Sequence, residues 1–209
     1  DWSSDVCSSD LIGIPGTFKT TDGGGSWEKL DGGGIYHPFA DDIYINPADP
    51  KKVYNITDTG TFFESLDGGE TWRALFDSQF GMNSPAPPKT AFQFSSIYAL
   101  EVARDNPDII YVVKNGFGVF KSSDAGRSWR YQLNSPDYSY SLAIDPDDSN
   151  RIYSGYQRKV FEEEASLYRN RPGEEEWDKL FTVEVAKEGI KGVRWVEIDP
   201  SDPRRIYAG

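Results

Sequence analysis

The 209-residue chain has one cysteine, one methionine and one histidine. A single thiol closes no disulfide within the chain, and a cysteine-ligated zinc site needs several thiolates. The histidine, His37, is followed by Pro38, a setting that reads as a surface loop rather than a catalytic base. No apolar run is long enough to span a bilayer, and mean hydropathy is −0.60. Basic residues are scarce beside acidic ones, 22 against 34, which argues against a basic face for nucleic acid or anionic lipid. No segment is predicted to be helical.

The opening stretch, residues 1–10, reads Asp-Trp-Ser-Ser-Asp-Val-Cys-Ser-Ser-Asp and resembles the translation of a sequencing adapter. It is set aside from the fold, as a processing or cloning scar would be. The only cysteine, Cys7, goes with it, and 31 acidic and 22 basic residues remain, a net charge of −9. No initiator methionine follows, and the chain stops inside the apolar run Ile206-Tyr207-Ala208-Gly209, so it reads as a fragment cut at both ends.

What is abundant is a turn pattern, Ser/Thr-x-Asp-x-Gly-x-Ser/Thr-Trp, which occurs three times. The copies place Thr20, Asp22, Gly24 and Trp27 in register with Ser65, Asp67, Gly69 and Trp72, and with Ser122, Asp124, Gly126 and Trp129. Glycine after aspartate supplies the positive φ of a tight turn between two strands, and the first hydroxyl and the carboxylate can serve turn backbone. The closing tryptophan is expected to fold over the turn and bury its ring, contributing up to about 4–6 kcal/mol. These twelve residues are therefore read as structural.

A second signature precedes each turn: an apolar strand, a Pro/Asp turn, then a strand centred on Tyr54, Tyr111, Tyr153 or Tyr207. Tyr54 to Trp72 and Tyr111 to Trp129 are both 18 residues, whereas Tyr153 to Trp177 is 24. The fourth turn keeps Trp177 but loses the aspartate and the glycine of the pattern; Pro172 and Gly173 can still turn the chain. Each unit then holds four strands, a to d. The second unit has a near 43–45, b near 53–56, c near 61–65 and d near 71–76. The third has them at 97–102, 109–113, 119–122 and 128–133.

These turns resemble the Asp-box, or bacterial neuraminidase repeat, of sialidases, sortilin-like domains, xyloglucanases and photosystem assembly factors. The resemblance implies an all-β fold, a β-propeller of four-stranded antiparallel blades with Asp-boxes at the c-to-d turns. About four blades are present and the ring is incomplete: 11–30 partial, 42–76, 96–133, 140–181, and 193–209 partial. On function the resemblance says less, because relatives do unrelated things on this scaffold. It favours the extracellular space or periplasm without fixing the compartment.

In such a fold the Asp-boxes and the Pro/Asp turns share one rim, and ligands meet the opposite, loop-bearing face. Long loops on a rigid scaffold are where function concentrates. Candidate ligand-binding residues there are Tyr36, His37, Asp41, Asp42, Phe92, Phe94, Tyr138, Tyr140 and Arg158. Asp58 lies in Thr57-Asp58-Thr59-Gly60, which resembles the step where xyloglucanase-type enzymes carry a catalytic aspartate. Glycoside hydrolysis needs two carboxylates, and by the resemblance the second would come from another domain. A sialidase would need an Arg-Ile-Pro motif and three arginines around a substrate carboxylate. No such motif occurs, and only Arg158 and Arg194 fall on the loop face. The acidic run from Asp145 to Asn150 lacks the glycine and glutamate of a calcium loop, so no metal or cofactor is expected. The expected activity is a binding module for a glycan or protein ligand, with a xyloglucanase-like glycoside hydrolase as the alternative.

Overall fold

The computed structural model describes residues 17–30, 40–46, 49–57, 62–76, 97–114, 116–156, 164–184 and 192–209. Of the sequence candidates, Tyr36, His37, Asp58, Phe92, Phe94 and Arg158 lie outside the described residues, as does the opening stretch 1–10. The chain divides into two compact units, residues 1–80 and 81–209.

In the first unit, β1 (Phe18–Lys19) and β2 (Glu28–Lys29) form a two-stranded hairpin. A four-stranded antiparallel sheet follows, built in chain order from β3 (Ala40–Ile45), β4 (Val53–Thr57), β5 (Phe62–Ser65) and β6 (Arg73–Phe76). Leu30 packs on the core formed by Val53, Phe63 and Trp72, so the hairpin's apolar end closes one face of that sheet. Asn55, the head of the sequence's one Asn-Ile-Thr sequon, is buried and donates its amide to Thr17 Oγ1 at 2.8 Å.

The second unit repeats the pattern. One sheet is β7 (Ile97–Val102), β8 (Ile110–Lys114), β9 (Gly118–Ser122) and β10 (Arg130–Tyr131); the next is β11 (Ser139–Asp145), β12 (Asp148–Tyr156), β13 (Glu164–Asn170) and β14 (Trp177–Glu184). A two-stranded piece, β15 (Val196–Ile198) with β16 (Ile206–Ala208), comes last. Tyr111, Val113 and Val119 of one sheet meet Leu142 and Ile152 of the next, which in turn presents Ala143, Tyr153, Ala165 and Leu167 to Val193, Val196 and Ile198. Apolar residues thus fill the spaces between successive sheets, the arrangement that lets repeats bury faces none could bury alone. No helix occurs among the described residues.

The outermost strand of the third unit is shorter than the sequence implies. Residues 128–133 were expected as strand, but β10 covers Arg130–Tyr131 only. Beyond it Asn134 adopts a φ of 55° and Ser135 donates to the Gln132 carbonyl, so the chain turns away.

Candidate functional site

The three repeated turns share one hydrogen-bond scheme. In the second copy Ser65 Oγ accepts from Gly69 N at 2.8 Å and donates to Asp67 at 2.7 Å, while Asp67 Oδ1 accepts from Thr71 N at 2.8 Å. Ser122, Asp124, Gly126 and Ser128 repeat this at 2.8 Å for each contact, and Thr20, Asp22, Gly24 and Ser26 within 0.1 Å of it. Donors converging on the aspartate hold its carboxyl low: Asp22 and Asp67 fall to about 2, through the hydroxyls of Ser26 and Thr71 first. Trp72 and Trp129 each donate Nε1 to the turn carbonyl three residues back. In each turn the first hydroxyl and the aspartate carboxylate are thus engaged by the turn's own backbone and side chains.

One expectation for these turns needs correction. Trp72 and Trp129 bury their rings, but Trp27 is 47% exposed. The turn alone does not cover its tryptophan; Trp72 packs with Val53 and Phe63 of its own sheet, and Leu30 of the preceding hairpin lies against that cluster. In the fourth sheet, Trp177 donates instead to the Leu133 carbonyl, and an ion cluster of Arg171 with Glu176 and Asp178 stands in for the missing aspartate. The acidic run is likewise occupied: Arg151 pairs with Asp145 at 3.3 Å and Asp148 at 3.6 Å.

Gly68 N donates to the Lys51 carbonyl, and Ala125 N to that of Asp108. The repeated turns and the Pro/Asp turns therefore lie at one end of each sheet. At the opposite end, where the first strand of each sheet begins, the ladders share a defect. Ala40 pairs with Thr57 and Asp42 with Ile56, skipping Asp41. Tyr98 is skipped between Ile97 and Ala99, and Tyr140 between Ser139 and Ser141. In the last piece the N–H groups of Arg194 and Trp195 both bond the Gly209 carbonyl, at 2.8 and 3.0 Å. Two donors sharing one acceptor is again a β-bulge, a device that re-aims a side chain at the end of a strand.

Two of these side chains stack, and a third caps them. The Tyr98 and Tyr140 rings lie 4.2 Å apart at 26°, and the Arg194 guanidinium sits 5.2 Å from the Tyr140 centroid. Offset ring stacking and a cation over the ring face each contribute about 0.5–1.5 kcal/mol and fix orientation. Both tyrosines are half-buried and Arg194 is exposed. The backbone beneath is held firmly: Ser154 Oγ bonds Ser139 Oγ at 2.7 Å, Val193 N donates to the Tyr156 carbonyl at 3.1 Å, and Ser141 Oγ reaches the Val193 carbonyl at 3.4 Å.

Of the sequence candidates, Tyr140 thus enters a defined cluster, and Tyr138 is exposed on the loop leading into β11. Asp41 and Asp42 fall on β3 at the bulge. Sequence reasoning missed Tyr98 and gave Arg194 no place among the candidates. The signal was present: Asp41, Tyr98, Tyr140 and Arg194 each lie thirteen residues before the central tyrosine of the next strand.

Among solved structures, the chain is similar to a GH74 enzyme from Niastella koreensis, at TM-score 0.68 and 16% identity over 92% of this chain and 32% of that one. It is similar also to a GH74 xyloglucanase from Xanthomonas campestris, at TM-score 0.60 and 18% identity over 82% of this chain and 26% of that one. The fold is a β-propeller. YCF48 bound to D1 peptide shares it too, at TM-score 0.53 and 16% identity over 90% of this chain and 52% of that one. The chain spans about a third or less of the GH74 enzymes' length and about half of YCF48's. No family model and no curated protein sequence matches it. The four-stranded sheets are blades of this propeller, and the bulges mark one end of each blade's first strand.

Proposed function

We propose that the chain is part of an Asp-box β-propeller whose role is to bind a ligand, a glycan rather than a protein, across the bulge-bearing ends of the blades within residues 97–209. The observation that carries this reading is the Tyr98–Tyr140 stack capped by Arg194. Stacking fixes the rings and the guanidinium before any ligand arrives, so little side-chain entropy is lost on binding. A fixed row of phenol groups beside a guanidinium suits the closely spaced hydroxyls of a sugar. Blades 11–30, 42–76, 96–133, 140–181 and 193–209 are the segments we assign to this module. Titrating the full chain with a panel of plant and bacterial oligosaccharides, followed by aromatic NMR shifts, tests it. Binding that Tyr140→Ala abolishes supports the reading; a peptide ligand with no glycan response would overturn the choice of glycan.

A hydrolase reading has one feature in its favour. Asp58 directly follows Thr57 in the step that resembles xyloglucanases, and the fold is shared with a GH74 xyloglucanase. Two flanking carboxylates are what glycosidic cleavage requires. If that reading holds, Asp58→Asn in the chain completed by its further blades lowers β-glucan turnover by several orders of magnitude with folding intact. Unchanged turnover removes Asp58 from catalysis.

A further inference from the structure

The bulge position is where the repeat stops repeating. Two residues beyond it every unit is apolar, with Ile43, Leu100, Leu142 and Val196; four residues beyond, again, with Ile45, Val102, Ile144 and Ile198. At the bulge itself the four units carry Asp41, Tyr98, Tyr140 and Arg194, four side chains spanning three chemistries in one backbone setting. Leu100, Val102, Leu142, Val196 and Ile198 are buried, so packing accounts for most of the uniform positions, whereas at the variable one Tyr98 packs on the neighbouring core, Tyr140 stacks on Tyr98, and Arg194 is exposed.

Arg194 is the informative member. Arg73, Arg151, Arg169, Arg171, Arg204 and Arg205 each pair with a carboxylate of the chain; Arg194, like Arg104, Arg127 and Arg130, has no described carboxylate within ion-pair distance, and it lies over the Tyr140 ring. In a chain of net charge −12 an exposed guanidinium with its own acid partner would be ordinary. This one instead sits 5.2 Å over the Tyr140 ring, and its backbone is pinned through Val193 and Gly209. A planar guanidinium fixed by stacking presents its N–H fork in one plane, the geometry that takes a carboxylate through two parallel hydrogen bonds.

We infer that Arg194 is the carboxylate anchor of the site and that the ligand is an acidic glycan, one containing uronate residues. This rests on the glycan-binding reading above and adds the ligand's charge to it. The uronate carboxylate meets Arg194 while neighbouring sugar hydroxyls meet the Tyr98–Tyr140 edge of the row.

The test compares an oligogalacturonate with its methyl ester, which has the same rings and no charge, by calorimetry on the full chain at low salt. The acid should bind at least about tenfold more tightly than the ester, and added salt should close the gap. Arg194→Lys keeps a charge but loses the fork, and should cost most of that preference by weakening the acid far more than the ester. Arg194 is exposed, so the variant should keep the parent's melting temperature, which is measured alongside. Equal affinity for acid and ester, or a preference that survives Arg194→Lys, overturns the carboxylate assignment and leaves glycan binding standing. If neither saccharide binds while an acidic peptide does, the glycan reading falls, and the acidic-glycan ligand with it.

Discussion

Trp72 and Trp27 close turns of the same sequence pattern, yet Trp72 is 5% exposed and Trp27 47%. Trp72 packs with Val53 and Phe63 of its own four-stranded sheet, and Leu30 of the preceding hairpin lies against that cluster, whereas Trp27 closes a hairpin of two strands only. A Cβ on Gly69 would stand 2.6 Å from Leu30 Cδ1, so the turn's glycine is also what admits the leucine. Burial of the ring thus draws on the rest of its own blade as well as on the neighbouring repeat.

Truncating the two rings should therefore separate them. Trp72→Ala removes a fully packed ring and should cost about 3–5 kcal/mol, while Trp27→Ala should stay within about 0.5 kcal/mol. Denaturant melts of the two variants against the parent would show it, and equal losses would refute the packing account.

The first hydroxyl of the turn should behave the same way. Ser122 is buried and its Oγ accepts from the buried Gly126 N–H, so Ser122→Ala should cost about 1–3 kcal/mol by leaving that donor without a partner. Thr20 makes the matching bond in a solvent-exposed turn, where water can replace it. Thr20→Ala should be close to neutral in the same melts.

Much of the fold could be read from the chain because the turn chemistry is local. Thr20, Ser65 and Ser122 each build their turn from groups at most four residues away. The exposure of Trp27 was not legible, since it depends on what packs beside the turn. The cluster was legible only in part. Tyr140 stood out as an aromatic in a connection, but stacking on Tyr98 joins residues 42 positions apart in chain order, and only their common spacing of thirteen residues to Tyr111 and Tyr153 points to it.

Acid should weaken the turns in a defined window. The Asp22 and Asp67 carboxyls are held at about 2 against an ordinary 3.8, so their charged forms favour the folded state. That contribution is present above pH 4 and is lost as pH falls from about 4 to 2. Asp67→Asn should flatten part of the decline, read as melting temperature against pH.

Lys114 should act in the opposite sense. Its side chain is fully buried, and burial lowers its pKa from 10.5 to about 7. Between those values the unfolded chain holds a proton that the folded one has lost, so this residue makes stability rise as pH increases from 7 to 10.5. Lys114→Met should raise the melting temperature at pH 6 and reduce the alkaline rise.

Gly155 guards the approach to Arg194. A Cβ there would lie 2.3 Å from Ser141 Oγ and 2.4 Å from the Val193 carbonyl oxygen, and the second is backbone that cannot rotate away. Gly155→Ala should cost about 1–3 kcal/mol of overpacking. Trimming the hydroxyl as well, with Ser141→Ala, should fail to restore the melting temperature, because the carbonyl remains.

The bulges also bear on how such a chain can diverge. Asp41, Tyr98 and Tyr140 stand opposite no residue of the adjoining strand. A replacement there meets no cross-strand partner that must change with it, unlike a residue inside the ladder. After a blade is duplicated, the copies can drift apart at this one position while the rest of each strand stays under the demands of packing. Single exchanges there can change the chemistry at the end of a blade while the propeller that carries it is left undisturbed.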